Sequence, residues 1–128
     1  MPLPAPGADR PVHEFKAELF KALAHPVRIR TLELLAERDR QVSELLTEIG
    51  IEASHLSQHL AVLRRAGVVT AVRQGNAVHY SLAHPAVAAM LAAARTVLLD
   101  TLAGARAALA DLERDDLERD DAGREEPA

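Results

Sequence analysis

A mainly α-helical domain carrying one β-hairpin is the fold class this sequence predicts, and three observations carry the prediction. Apolar residues recur at helical spacing along most of the chain, whereas one stretch, VVTAVRQGNAVHYSL, is rich in β-branched residues and broken by a turn signal. The composition is 48% apolar but only 2% aromatic, so the core must be built from Leu, Val, Ile and Ala, which suits helices in close contact. With 128 residues, the chain is long enough for one domain with a real core and too short for two.

Residues 1–10, MPLPAPGADR, alternate Pro with Ala and Gly and are expected to form a disordered arm ahead of a domain over residues 11–112. Asp9 and Pro11 are start signals for a first helix, on which Phe15, Leu19 and Leu23 repeat every four residues beside Phe20. The tripeptide AHP occurs at Ala24–Pro26 and at Ala83–Pro85, each time placing proline in a helix's first turn, where its missing N–H costs nothing. A second helix follows from about Pro26 to Glu37, burying Ile29, Leu32 and Leu35 or their neighbours, until RDRQ breaks the pattern.

Val42, Leu45, Leu46 and Ile49 define a short third helix, which Gly50 can end in the left-handed conformation. Ile51 reads as a buried turn residue, and a fourth helix begins near Glu52. Two short helices joined across a tight turn with glycine are the helix-turn-helix pattern. The hairpin breaks at Gln74-Gly75-Asn76 and alternates Val78, Tyr80 and Leu82 onto one face. Directly after a helix-turn-helix it reads as a wing. From Pro85 to about Leu112 runs a long helix whose stripe includes Val87, Met90, Leu91, Ala94, Leu98, Leu102, Ala105 and Leu109. That stripe is too broad for one small neighbour on a rod of roughly 40 Å. Packing against a copy of itself is the expectation.

Several classes are excluded or disfavoured. The absence of cysteine removes disulfides, thiolate metal sites and cysteine nucleophiles. The N-terminus has no basic cluster followed by an apolar segment, and no uninterrupted apolar run approaches the roughly 20 residues a bilayer span needs. A cytoplasmic protein without a membrane partner is expected. No Gly-rich phosphate loop and no nucleophile paired with a base is present, so an enzyme is not expected.

The net charge of −4 conceals a segregation. Nine acidic and three basic residues fall from Asp111 onward, leaving ten acidic and 12 basic of the chain's 19 and 15 ahead of them. The folded part is mildly basic, and the acidity sits in the tail.

The fourth helix carries the chemistry. Turning 100° per residue puts Leu56, Leu60 and Leu63 toward the core. Ser54, Gln58, Ala61 and Arg65 fall opposite, flanked by Ser57 and Arg64, with His55 and His59 along one edge. A zinc protease would need HExxH with its glutamate as base, but here the five residues are HLSQH and Leu56 takes that place. The polar face suits double-stranded DNA, and His55 and His59 at its edge are expected among the contacts. Ser and Gln reach base edges or phosphates from a helix in the major groove, and Gln58 can pair with adenine through two bonds. Arg64 and Arg65 can neutralise phosphates. A merely solvated face would carry Glu and Lys, which are absent from Ala53–Gly67. Arg73, Gln74 and Asn76 at the hairpin tip place one cation and two amides where a wing meets the flanking backbone or minor groove. The tail, residues 113–128, repeats LERDD with a period that builds no apolar stripe, and is expected to be disordered. The alternative is that it competes with DNA for the basic face.

Four pieces, LAHPVRIRTLELL, QVSELLTEIG, ASHLSQHLAVLRRAGVV and VRQGNAVHYSL, together resemble the ArsR-type family of winged-helix transcriptional repressors. They cover about Ala17 to Leu82 in the expected order, and the S-x-HL-x-x-L-x-x-AG-x-V run, Ser57 to Val69, is fairly specific. The resemblance implies a winged helix-turn-helix homodimer joined through its N- and C-terminal helices. On this chain those would present Phe15, Leu19, Leu23, Met90, Leu91, Ala94, Leu98 and Leu102. It also implies binding to imperfect inverted repeats with half-sites about one turn apart, relieved by an inducer.

The inducer is where the chain departs from the family. An arsenic-type CVC motif is replaced by Gln41-Val42-Ser43, and the zinc-type D-x-H and H-x-x-E positions read His84, Ala86, Val97 and Asp100. Of these only His84 and Asp100 could ligate, and His84 is also explained as the residue before Pro85 at a helix start. His13 and His79 are further imidazoles without evident partners. The leading expectation is a regulator without the family's usual metal sites, answering to a non-metal ligand, a partner protein or its own concentration. One rival is a nickel- or zinc-responsive regulator with a non-standard His/carboxylate site. The other is a dimeric partner-binding module without DNA binding.

Overall fold

The computed structural model describes residues 9–124. The expected arm up to residue 8 and the end of the tail, 125–128, lie outside them. Eight elements follow in order: α1 (Val12–Leu23), α2 (Pro26–Glu37), β1 (Arg40–Gln41), α3 (Val42–Ile49), α4 (Ala53–Arg65), β2 (Val69–Gln74), β3 (Ala77–Leu82) and α5 (Pro85–Arg124). They form a winged helix-turn-helix.

The chain divides into two units, residues 1–91 and residues 92–128. In the first, leucines do most of the packing: Leu32, Leu34, Leu45, Leu56 and Leu63 are fully buried, with Val68, Val69, Tyr80 and Val87 completing the cluster. The predicted α2 core is present at Leu32 and Leu35, and Ile29 is half-buried against it.

Helix ends follow local chemistry. Pro26 opens α2, and the His25 imidazole caps it by accepting from the Val27 N–H at 3.1 Å. Gly50 closes α3 at φ 75° with its N–H on the Leu46 carbonyl, the left-handed stop that glycine makes without strain. At the start of α3, the Glu44 carboxylate accepts from the Gln41 N–H at 3.3 Å and from Arg38 at 2.6 Å. Arg38 first, and then that amide, hold the Glu44 carboxyl below the usual carboxylate range.

The sheet has three antiparallel strands in the order β1-β3-β2. β2 and β3 join through Gly75-Asn76, with φ positive at the glycine alone, as a mirror-image hairpin turn with glycine first requires. Tyr80 on the central strand pairs with Arg40 on β1 and Ala71 on β2. The two-residue β1 is an element the sequence reading treated only as a break. Arg40 explains its position: it is buried, donates to the Leu34 carbonyl at 3.3 Å and meets Glu37 at 2.6 Å.

Two expectations differ from the structure at α5. The helix does not stop near Leu112 but continues through both LERDD repeats to Arg124. Asp111–Arg114 and Asp116–Arg119 pair three residues apart, the acid N-terminal to the base, which supports helix without any apolar stripe. Secondly, Pro85–Gly123 reaches a mean hydropathy of 1.6 over 18 residues and is, by length and composition, apolar enough to cross a bilayer. Arg95 and Asp100 interrupt the apolar run, which is why a search for an unbroken one passes over it.

The α1 and α5 residues expected at a dimer interface fall into two groups. Phe15 and Leu23 are already buried within the protomer, Phe15 beneath the Arg10 guanidinium at 5.0 Å. Leu19, Met90 and Leu91 are half-buried against the protomer's own core. Ala94, Leu98 and Leu102 are exposed, as are Phe20 and, further along α5, Leu109, Leu112 and Leu117.

Candidate nucleic-acid interface

The surface of α4 is set by which of its side chains the core takes. Leu56, Leu60 and Leu63 are buried, at spacings of four and three. That rotation leaves Ser54, His55, Ser57, Gln58, Arg64 and Arg65 exposed, with Ala61 half-buried between them. At the hairpin tip Arg73, Gln74 and Asn76 are exposed as well.

Electrostatics single this surface out. From Ala53 to Leu99 there is no aspartate or glutamate, while Arg64, Arg65 and Arg73 all lie within it. Elsewhere, Arg10, Arg30, Arg38, Arg40, Arg114 and Arg119 each pair with a carboxylate. Among the described residues, none of Arg64, Arg65 and Arg73 does so. Unpaired cations on elements that carry no carboxylate attract a polyanion, and exposed serines and amides on the same elements offer hydrogen bonds to its edges.

His59 departs from the sequence reading, which grouped it with the DNA contacts. Its ring is half-buried, lies 4.2 Å from the His25 ring at a tilt of 40°, and accepts at Nδ1 from the Arg28 Nε–H at 3.2 Å. The reason is α4's position against α2: the edge residue meets the start of its neighbour. Burial first, and then the positive charge of His25, Arg28 and His55, push its imidazole pKa below the ordinary value. Sequence reasoning missed Arg28 altogether. Its partner lies 31 residues away, and the only trace is its place two residues after the AHP proline.

The two metal candidates lie in different units of the chain. His84 is exposed at the edge of an apolar hollow of about 310 Å³ with Leu19, Val68, Val87 and Met90, none of them a nitrogen or oxygen ligand. Asp100 is exposed on α5 in the second unit. Among the described residues no three His, Cys, Asp or Glu side chains converge as a metal site would need.

Comparison with known proteins agrees with this geometry. A family model described as "Bacterial regulatory protein, arsR family" matches residues 25–71, from the α2 cap through α4 into β2. The uncharacterized HTH-type transcriptional regulator Rv0081 of Mycobacterium tuberculosis is 59% identical over 105 residues, covering 81% of this chain and 92% of that protein. Its crystal structure superposes with a TM-score of 0.69 over 74% of this chain and 96% of that one. A solution structure of the homodimeric winged helix-turn-helix DNA-binding domain of Mb0332 from Mycobacterium bovis is 32% identical, with a TM-score of 0.66 and coverage of 71% and 84%. The HTH-type transcriptional repressor SmtB of Mycobacterium tuberculosis is 44% identical over 80 residues, 62% of this chain and 58% of that protein.

Proposed function

The chain belongs to the arsR family of bacterial regulatory proteins, and we propose that it is a homodimeric repressor that reads an imperfect inverted repeat through α4 and the hairpin wing. The observation that carries this reading is that α4 and the wing themselves hold no carboxylate, that Arg64, Arg65 and Arg73 pair with none among the described residues, and that Ser54, Ser57 and Gln58 are exposed. Arg64, Arg65 and Arg73 contact phosphates, Ser54, His55, Ser57 and Gln58 lie toward base edges, and Gln74 and Asn76 bond the flanking strand. Support for the dimer comes from the exposed leucines of α5 and from the homodimeric state of the Mb0332 domain. Support for repression comes from SmtB. Arg95 and Asp100 favour a protein partner over a bilayer for α5, because buried charges are costly in hydrocarbon.

The test is fluorescence anisotropy with DNA from upstream of the protein's own gene, across a salt series and with zinc or nickel added. Arg65→Ala weakens binding on every sequence and lowers the salt slope by about one unit for the lost phosphate contact. Gln58→Ala mainly relaxes preference at one base pair, by roughly 1–3 kcal/mol. Equal losses on all sequences for both variants would overturn the assigned roles, and no salt-dependent binding at all would leave the fold and remove the repressor. A metal-dependent change would point to ligands assembled from two protomers. With neither metal active, the search moves to organic ligands and partner proteins.

A further inference from the structure

His25, Arg28 and His59 form a polar cluster that joins α2 to the helix proposed to read DNA. Arg28 spans two junctions at once: its Nε–H goes to His59 Nδ1 at 3.2 Å on α4, and its Nη1 donates to the Ala22 carbonyl at 3.1 Å on α1. His25 meets the His59 ring at 4.2 Å while its own Nδ1 accepts from the Val27 N–H at 3.1 Å. Both imidazoles therefore use Nδ1 as an acceptor, the arrangement of a neutral ring that carries its proton on Nε2. That leaves neither ring a free lone pair for a metal. It also means that a second proton, which must go to Nδ1, turns each acceptor into a donor facing a donor.

The surroundings make that protonation disruptive. The charged and titratable groups acting on His59 are His25 at the N-cap of α2, Arg28 on α2 and His55 on α4 itself, with none from α1 or β2 and no carboxylate among them. An imidazolium at His59 and the Arg28 guanidinium repel one another, with no anion among these groups to bridge them.

We propose that Arg28, acting through His59 and His25, is a positioning residue for the DNA-reading helix and that the three form a latch released by protons. At neutral pH it ties α4 to α2 and α1. On acidification the Arg28–His59 bond is lost, and α4 loses its fixed seat. This rests on the reading of α4 as the DNA reader. The sign is distinctive, because added positive charge alone would tighten binding to DNA, whereas release of the latch weakens it.

The variant that separates these effects is His25→Asn/His59→Asn. The asparagine Oδ1 stands near the place of Nδ1, so it can accept from Arg28 and cap α2, but it takes up no proton. The full-length protein and the double variant are compared at pH 7.5 and pH 5.5, each against its own neutral value, by anisotropy on the same DNA and by thermal melting. Wild-type affinity falls about tenfold at the lower pH, as when only a tenth of the molecules keep a competent helix. The double variant keeps its neutral affinity within about twofold. Parallel affinity losses in the two proteins, or none in either, would overturn the proposal. Melting judges the latch without DNA: wild type loses more of its midpoint than the variant between the two pH values, and parallel melting curves sink the latch. Should DNA binding be absent altogether while the melting curves diverge, the DNA reading fails and the proton latch stands.

Discussion

Gly50 separates the two helices of the helix-turn-helix, and its role is entirely one of backbone. A Cβ built there meets nothing within 4 Å, yet φ is 75°. Gly50→Ala should therefore destabilise the protein by about 1–2 kcal/mol with no steric cause, read as a lower urea midpoint at unchanged slope. This residue was legible in the sequence, because a glycine directly after Ile49 ends an apolar helical period. Arg28 and His59 were not. Neither lies in a motif that predicts the other, and their contact exists only once α2 and α4 are packed. The titration of His59 has a definite sign as well. Its folded pKa lies below the unfolded value, so the unfolded chain takes up the proton first. Its contribution to stability is complete above about pH 6.5 and is lost as the pH falls from there through the folded pKa.

For the elements, α4 shows how one helix serves two purposes. Its three buried leucines fix the rotation that turns the serines, Gln58 and the arginines outward. Leu56 is fully buried, so Leu56→Ala should cost about 2–5 kcal/mol in chemical denaturation, and DNA affinity should fall through loss of folded protein. If affinity falls while stability is unchanged, Leu56 does not anchor the helix. Periodicity made α1 to α4 and the hairpin legible nearly to their ends, because each has an apolar face to repeat. It could not find β1, since two residues show no alternation. Nor did it find the helix across LERDD, which carries acid–base pairs in place of an apolar stripe.

For the whole molecule, charge is the organising feature. Residues 113–128 hold eight acidic and three basic residues, so removing them changes the net charge from −4 to +1. A chain ending at Leu112 should bind DNA faster at low salt, with the difference disappearing once salt screens beyond about 10 Å. Stopped-flow association at two ionic strengths checks this, and equal rates at low salt would make the tail electrostatically inert toward DNA.

The sheet has an optical consequence. The chain contains no tryptophan and a single tyrosine, and that tyrosine sits on the middle strand, 7% exposed, opposite both neighbouring strands. Every photon the folded protein emits on excitation near 280 nm thus originates where wing and body join. A shift of the hairpin on binding a nucleic acid or a small ligand should change that emission, so the protein carries an unlabelled reporter of its own wing.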